Sequence, residues 1–325
     1  MVEEKKMPDL KGFSFSITNY CLCKCKHCLL GNDSGKKIFL KKDDILKICH
    51  DIMDYNIMTA DKPIALTGGE ISLHPDIIDI ICGIHKMGFK KINISTTGMG
   101  FSEDNIKNIA PYINIASFSL DGTKDYHDWF RGVRIYEKTI SCIKLFQKYG
   151  AKNVAIQMSV SNENYDMIEP LVKYAHDNKV SHVRIIPILP IGKAETMQEI
   201  SLLNKQMYEK LHLKIMILNA KYSDMDKTSI LDRKKFLLSN TERIYGRDTV
   251  DNMEVSADGS VHFCNMLDEK YSIGNIYTES ILNIVQGTYD TEAYCQYNKM
   301  SHKIYSDIST DNNETICLLE ERMRQ

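Results

Sequence analysis

Apolar residues along the first 190 positions follow two alternating rhythms. Short runs rich in β-branched residues predict strands at Phe13–Ile17, Ile64–Thr67, Lys91–Ser95, Ile113–Leu120, Val154–Val160 and Val183–Leu189. Between them apolar positions recur at helical spacing. Ile77, Ile80, Ile81, Ile84 and Met87 predict a helix over Asp76–Met87, with Pro75 suited to its start and Gly88 to its left-handed C-terminal cap. Gly150 plays the same part after the helix that ends at Tyr149. Six strand–helix units in series predict a parallel sheet with right-handed crossovers.

After Ala194 the alternation stops. Leu202–Asn219 reads as a charged helix, 221–251 as a polar segment, and Met253–Phe263 as a hairpin turning at Asp258-Gly259. The predicted organisation is therefore a core domain over 1–200, a helical and polar linker over 201–250 and a small unit over 251–325.

Composition narrows the classes of partner. A chain of 325 residues with 43% hydrophobic and 26% charged residues can bury a real core. A formal charge of −2 gives no reason to expect a nucleic acid or an anionic membrane. The start, Met-Val-Glu-Glu-Lys-Lys, lacks the apolar run of a signal peptide, and no stretch is long enough to cross a bilayer. Ten cysteines in such a chain predict reduced thiols or metal ligands and a cytoplasmic location.

The chemistry gathers where predicted strands end. Directly after the first strand, Cys21, Cys25 and Cys28 stand in a C-x3-C-x2-C spacing. Three thiolates on a cuboidal [4Fe–4S] cluster leave one iron open to bind a small molecule. The Cys25–Cys28 pair alone also has the spacing of a redox pair or, with His27 or Cys23, of half a zinc site. A redox pair has no use for Cys21, and no second ligand pair follows for zinc. The second strand ends Leu66-Thr-Gly-Gly-Glu70, the third Ile94-Ser-Thr-Thr-Gly98, and the fourth Ser117-Phe-Ser-Leu-Asp-Gly122, which runs into Tyr126-His-Asp-Trp-Phe-Arg-Gly132. Motifs at consecutive strand ends favour a partial (β/α)6 TIM-like barrel of parallel strands, in the α/β class, over a flat sheet, because barrel strand ends converge on one mouth. The residues after 251 then form a small C-terminal α+β extension.

This set of motifs resembles that of the radical S-adenosylmethionine (radical SAM) superfamily, and the Ser-Leu-Asp-Gly…His-Asp…Arg-Gly run resembles its sulfatase-maturing and peptide-modifying members. The resemblance covers about the first 200 residues. It implies a [4Fe–4S] cluster on Cys21, Cys25 and Cys28, with S-adenosylmethionine as co-substrate. It further implies that Gly68, Gly69 and Glu70 hold the methionyl amino group and that Ser95 and Thr96 lie at the Thr-Asn-Gly position of many members, with Thr97 replacing the Asn. Ser119 and Asp121 are implied at the ribose or carboxylate, Arg131 at the methionyl carboxylate, Ser159 or Gln157 near the ribose, backbone near Ile186 at the adenine, and His27 on the cluster loop. A flavodoxin or ferredoxin reductant is implied as partner. No residue is singled out as catalytic acid or base.

Gly259-Ser-Val-His-Phe-Cys264 and Ser272–Ile281 resemble the SPASM or twitch extension of that family. Its usual upstream cysteine and its later cysteine block are missing, leaving Cys264, Cys295 and Cys317 scattered. The expectation is a degenerate extension without an auxiliary cluster, in which Cys264, like Cys49, Cys82 and Cys142, is an ordinary buried thiol. Substrates expected on this reading are a peptide or protein first, and a small molecule of cofactor, sugar or antibiotic metabolism second. Two other classes stay open at this point: an iron–sulfur electron-transfer protein that never cleaves the cofactor, and a zinc-dependent regulatory module.

Overall fold

The computed structural model describes residues 7–30, 36–188, 192–222, 229–230, 250–263 and 271–295. Leu189, Cys264, Cys317, most of the polar segment 221–251 and the stretch 301–325 lie outside them.

Six parallel strands and their helices follow in the expected order. They are β1 (Gly12–Ser16), α1 (Lys42–Asp54), β2 (Ile64–Thr67), α2 (Ile77–Lys86), β3 (Ile92–Thr96), α3 (Glu103–Ile109), β4 (Ile113–Ser119), α4 (Lys124–Arg131), α5 (Tyr136–Lys148), β5 (Asn153–Val160), α6 (Ile168–Asp177) and β6 (His182–Pro187). Each strand agrees with its apolar run to within two residues among those described. Helix α2 stops where Gly88, at φ +104°, gives its N–H to the carbonyl of His85. Then come α7 (Lys205–Lys221), β7 (Ser229–Ile230), β8 (Asn252–Val255), β9 (Ser260–His262), β10 (Gly274–Asn275) and α8 (Ile281–Gly287).

Among the described residues all ten strands form one sheet, ordered β10-β9-β8-β1-β2-β3-β4-β5-β6-β7, and it does not close on itself. Strand β8 pairs parallel to β1, with Phe13 opposite Met253 and Phe15 opposite Val255. The hairpin predicted around Asp258-Gly259 is the antiparallel β8–β9 pair.

The two faces of this sheet differ, as side-chain alternation along a strand requires. Phe13, Phe15, Ile64, Leu66, Ile92, Ile94, Phe118, Ile156, Met158, Val183 and Ile185 join helix residues such as Ile48, Ile52, Ile81, Ile106, Ile143 and Val172 in a single core. The alternate positions are mostly polar, among them Ser14, Thr67, Asn93, Ser95, Ser119, Gln157, Ser159 and Arg184, with Ala65, Ile115, Ala155 and Ile186 between them. A parallel sheet with its apolar side under helices and its other side mostly polar is the wall of an open barrel, not of a doubly wound sheet covered on both faces. Cys49 and Cys142 are buried on α1 and α5 as expected, whereas Cys82 on α2 is partly exposed. It sits one position past the apolar stripe of that helix.

Candidate active site

The loop after β1 carries Cys21, Cys23, Cys25 and Cys28 across the barrel mouth, all four reduced and partly exposed. It is held from several sides by backbone. Gly69 N–H donates to Thr18 O at 2.6 Å and Glu70 N–H to Tyr20 O at 2.9 Å. From the other side, Lys24 and Lys26 N–H donate to the carbonyls of Arg131 and Phe130 at 2.9 and 3.0 Å, and Lys193 N–H to Cys28 O at 3.0 Å.

These approaches explain the glycines. A Cβ on Gly69 meets Tyr20 O at 2.5 Å, and one on Gly192 meets the carbonyls of Cys28 and Leu29 at 2.5 Å. Gly68 faces Thr18 O in the same way. Neither a backbone carbonyl nor its strand can retreat cheaply, so these positions exclude every side chain.

Two buried carboxylates organise the rim. Glu70, 1% exposed, accepts at Oε1 from Ser72 N (3.0 Å), Ser72 Oγ (2.7 Å) and Thr96 Oγ1, and at Oε2 from Thr97 N (2.7 Å) and Thr97 Oγ1 (2.5 Å). Five donors saturate a group with roughly four lone-pair sites. Glu70 thereby ties the end of β2 to the end of β3.

Asp121, 0% exposed, takes the Arg131 fork: Nε to Oδ2 at 2.7 Å and Nη2 to Oδ1 at 3.0 Å. Ser159 N–H donates to Oδ1 at 3.0 Å, and His127 Nδ1 lies 3.1 Å from Oδ2. Burial pushes the Asp121 carboxyl up, but Arg131 and His127 together hold it well below the usual carboxylate range. Asn164 Nδ2 donates to Asp121 O at 3.0 Å and to Ser159 O at 2.9 Å, fastening the ends of β4 and β5. Arg131 keeps one edge free of Asp121, and its Nη1 lies 3.7 Å from Cys25 Sγ.

The thiols are not equivalent. The Cys23 thiol sits between Cys21 and Cys25 and stabilises the thiolate of each. It lowers the Cys25 pKa to about 6 against the cost of burial, with the Arg131 charge assisting, and it lowers that of Cys21 as well. Cys23 is itself pushed strongly up by its bonds to those two sulfurs. Two of the three spaced cysteines are thus shifted toward the thiolate, the form that binds iron. Among the described residues no three His, Cys, Asp or Glu side chains are arranged to hold one metal ion. Cysteines of a cuboidal cluster bind different irons and need not converge on a point, so this donor set fits such a cluster.

His27 stacks on Phe130, with ring centroids 4.1 Å apart and planes 6° apart, and burial lowers its pKa to about 3. The ring is neutral, and its buried Nδ1 has no partner among the described residues. Ser95 accepts from Gln157 Nε2 at 3.3 Å, so β3 and β5 meet on the polar face. Ser119 and Ile186 stand at the C-terminal ends of β4 and β6. The expected positions therefore share one rim. Arg184, three places from the end of β6, has no role in the motifs above; its signal in the sequence is a charged residue between Val183 and Ile185 in a strand.

An open α/β barrel whose mouth is crossed by a thiolate-bearing loop defines an iron–sulfur enzyme class. Residues 15–175 match the model of the radical SAM superfamily, and residues 249–310 match that of an iron–sulfur cluster-binding domain, SPASM. The chain belongs to the radical SAM superfamily. It is similar to a probable GTP 3′,8-cyclase of Saccharolobus islandicus, 22% identical over 184 residues, which are 56% of this chain and 58% of that one. A probable GTP 3′,8-cyclase of Sulfurisphaera tokodaii is 21% identical over 314 residues, 93% of this chain and 94% of that one. In fold it is similar to Streptococcus suis SuiB bound to S-adenosylmethionine (TM-score 0.74, 16% identity, 90% of this chain, 68% of that one). It is likewise similar to anSMEcpe with bound AdoMet (TM-score 0.69, 17% identity, 89% of this chain, 83% of that one). Among the described residues no helix is long and apolar enough to cross a membrane.

Proposed function

We propose that this protein is a radical SAM enzyme that modifies a peptide or protein. The observation that carries the chemistry is the loop of Cys21, Cys25 and Cys28, locked to the rim at Gly69, Arg131 and Gly192. When bound, a [4Fe–4S] cluster and S-adenosylmethionine supply a reductively formed 5′-deoxyadenosyl radical that takes a hydrogen atom from substrate. The chain's own residues do the placing. Cys21, Cys25 and Cys28 hold the cluster. Because Glu70 and Thr96 are spent on each other, the methionyl amino group falls to the backbone of the Gly68–Glu70 turn. The Nη1 edge of Arg131, which Asp121 does not use and which lies beside Cys25 Sγ, serves the carboxylate together with Ser119. Ser95 and Ser159 line the ribose side, and backbone at Ile186 meets the adenine. Asp121 acts through Arg131 and is a positioning residue.

The peptide reading is supported by two fold neighbours, SuiB bound to its precursor peptide SuiA and anSMEcpe bound with the Cp18Cys peptide. A small-molecule substrate is favoured by the names of the GTP 3′,8-cyclase relatives. The second unit is taken as cluster-free: the matched domain is one that binds iron–sulfur clusters, but its cysteine block is missing from this sequence. A flavodoxin or ferredoxin delivers the electron, in a reducing cytoplasm.

The test is anaerobic reconstitution followed by dithionite. Release of 5′-deoxyadenosine from protein holding about four irons per chain supports the reading; an intact sulfonium rejects it. About eight irons overturn the cluster-free second unit. A mass change in a co-incubated peptide, absent with nucleotides, separates the two substrate classes.

A further inference from the structure

We propose that Arg184 anchors a substrate carboxylate inside the barrel. Val183 and Ile185 are fully buried in the core beneath the helices, so Arg184 between them projects from the opposite, polar face. The pairing Ser119↔Gln157↔Arg184 sets these three residues in one row across β4, β5 and β6. Gln157 reaches across to Ser95 at 3.3 Å, so the row faces the same space as the end of β3. Arg184 lies one pleat deeper than Ile186, the level assigned above to the adenine.

Among the described residues the Arg184 guanidinium has no hydrogen-bond or ion-pair partner. Burial is the one influence acting on it, and it pulls the pKa down. Five donors of a partly shielded cation without an acceptor are costly, and an arriving anion removes that cost. The other side chains of the row, Ser119 and Gln157, are neutral hydrogen-bonding groups. Glu254 on β8 shares this face next to Ser14. One planar fork beside neutral donors matches one carboxylate; a triphosphate calls for several cations, which this face does not offer among the described residues. The site therefore selects an acidic side chain or a chain-terminal carboxylate.

This inference rests on the reading above in calling the bound anion a substrate. The test uses the full chain reconstituted with cluster and S-adenosylmethionine. Two probes, N-acetylglutamate α-amide (side-chain carboxylate) and N-acetylglycine (terminal carboxylate), are titrated by calorimetry. One of them binds the native protein, Arg184→Gln weakens it about ten-fold or more, Arg184→Lys less, and affinity for S-adenosylmethionine stays unchanged. On native protein the same probe slows phenylglyoxal labelling at Arg184, read by peptide mapping, and this arm depends on no variant. Binding of neither probe, equal binding by Arg184→Gln, no protection from labelling, or a parallel loss of S-adenosylmethionine affinity overturns the proposal. Carboxylate binding through Arg184 in protein that never releases 5′-deoxyadenosine removes the enzyme reading and leaves the anion site standing.

Discussion

The two corners of the barrel mouth hold buried carboxylates by different means. At the β2–β3 corner Glu70 is met only by neutral donors, two hydroxyl-bearing threonines and a serine with their backbone. At the β4–β5 corner Asp121 is met by a guanidinium that in turn touches the cysteine loop. The first arrangement fixes a turn locally. The second carries a charge pair from the strand ends to a ligand sulfur, so its failure is felt farther away. Neutral donors can be lost one at a time, whereas removing one half of a buried ion pair strands the other half.

The largest expected effect follows from that difference. Asp121→Asn leaves Arg131 buried and unpaired and lowers stability by about 3–5 kcal/mol, read from the denaturant midpoint at unchanged m-value. A loss under about 1 kcal/mol would show that the fork carries no such weight. The same pair predicts a pH signature. The folded pKa of Asp121 lies below its unfolded value, so its stabilisation is present above about pH 4 and drains away as pH falls further. The stability gap between native protein and Asp121→Asn narrows only in that acid window; a gap that is flat down to pH 2 breaks the argument.

Glu70→Gln comes next. The amide turns an NH2 toward donors such as Thr97 N–H and leaves one or two of them unsatisfied, at about 1–3 kcal/mol each. Its cost should stay below that of Asp121→Asn, and the reverse order would undo the comparison. Gly69→Ala drives a methyl into Tyr20 O and costs about 1–3 kcal/mol, with iron content after reconstitution falling because the loop is displaced. Full iron retention would mean that the loop tolerates the shift. The smallest effect belongs to Cys23→Ser, which should keep about four irons per chain, whereas Cys25→Ser loses them. Equal loss in both would place Cys23 among the ligands.

Much of this was legible in the chain. Alternating rhythms located six strands, Gly88 stopped α2 where its position implied, and the C-x3-C-x2-C spacing marked the loop. What the sequence did not show were contacts between distant segments. Gly68 and Gly69 read as part of the hold on the methionyl amino group, and the sequence did not show that Thr18 and Tyr20, some fifty positions earlier, demand their lack of a side chain. Glu70 read as an acceptor for an ammonium, and the sequence did not show that Thr96 and Thr97, 26 and 27 places later, also bond to it. Arg184 looked like one more residue of a strand until alternation placed it opposite Val183 and Ile185.

Strand β8 adds a constraint on how the molecule is made. The edge of β1 that bears Phe13 and Phe15 is covered only when residues 252–255 pair with it. At a synthesis rate of roughly 5–20 residues per second, the ribosome takes on the order of tens of seconds to deliver them. During that interval the growing polypeptide exposes an open strand edge, the feature that recruits stray β-pairing. Yield in a foreign host should therefore respond to translation speed and chaperone supply more than to the stability of the finished protein.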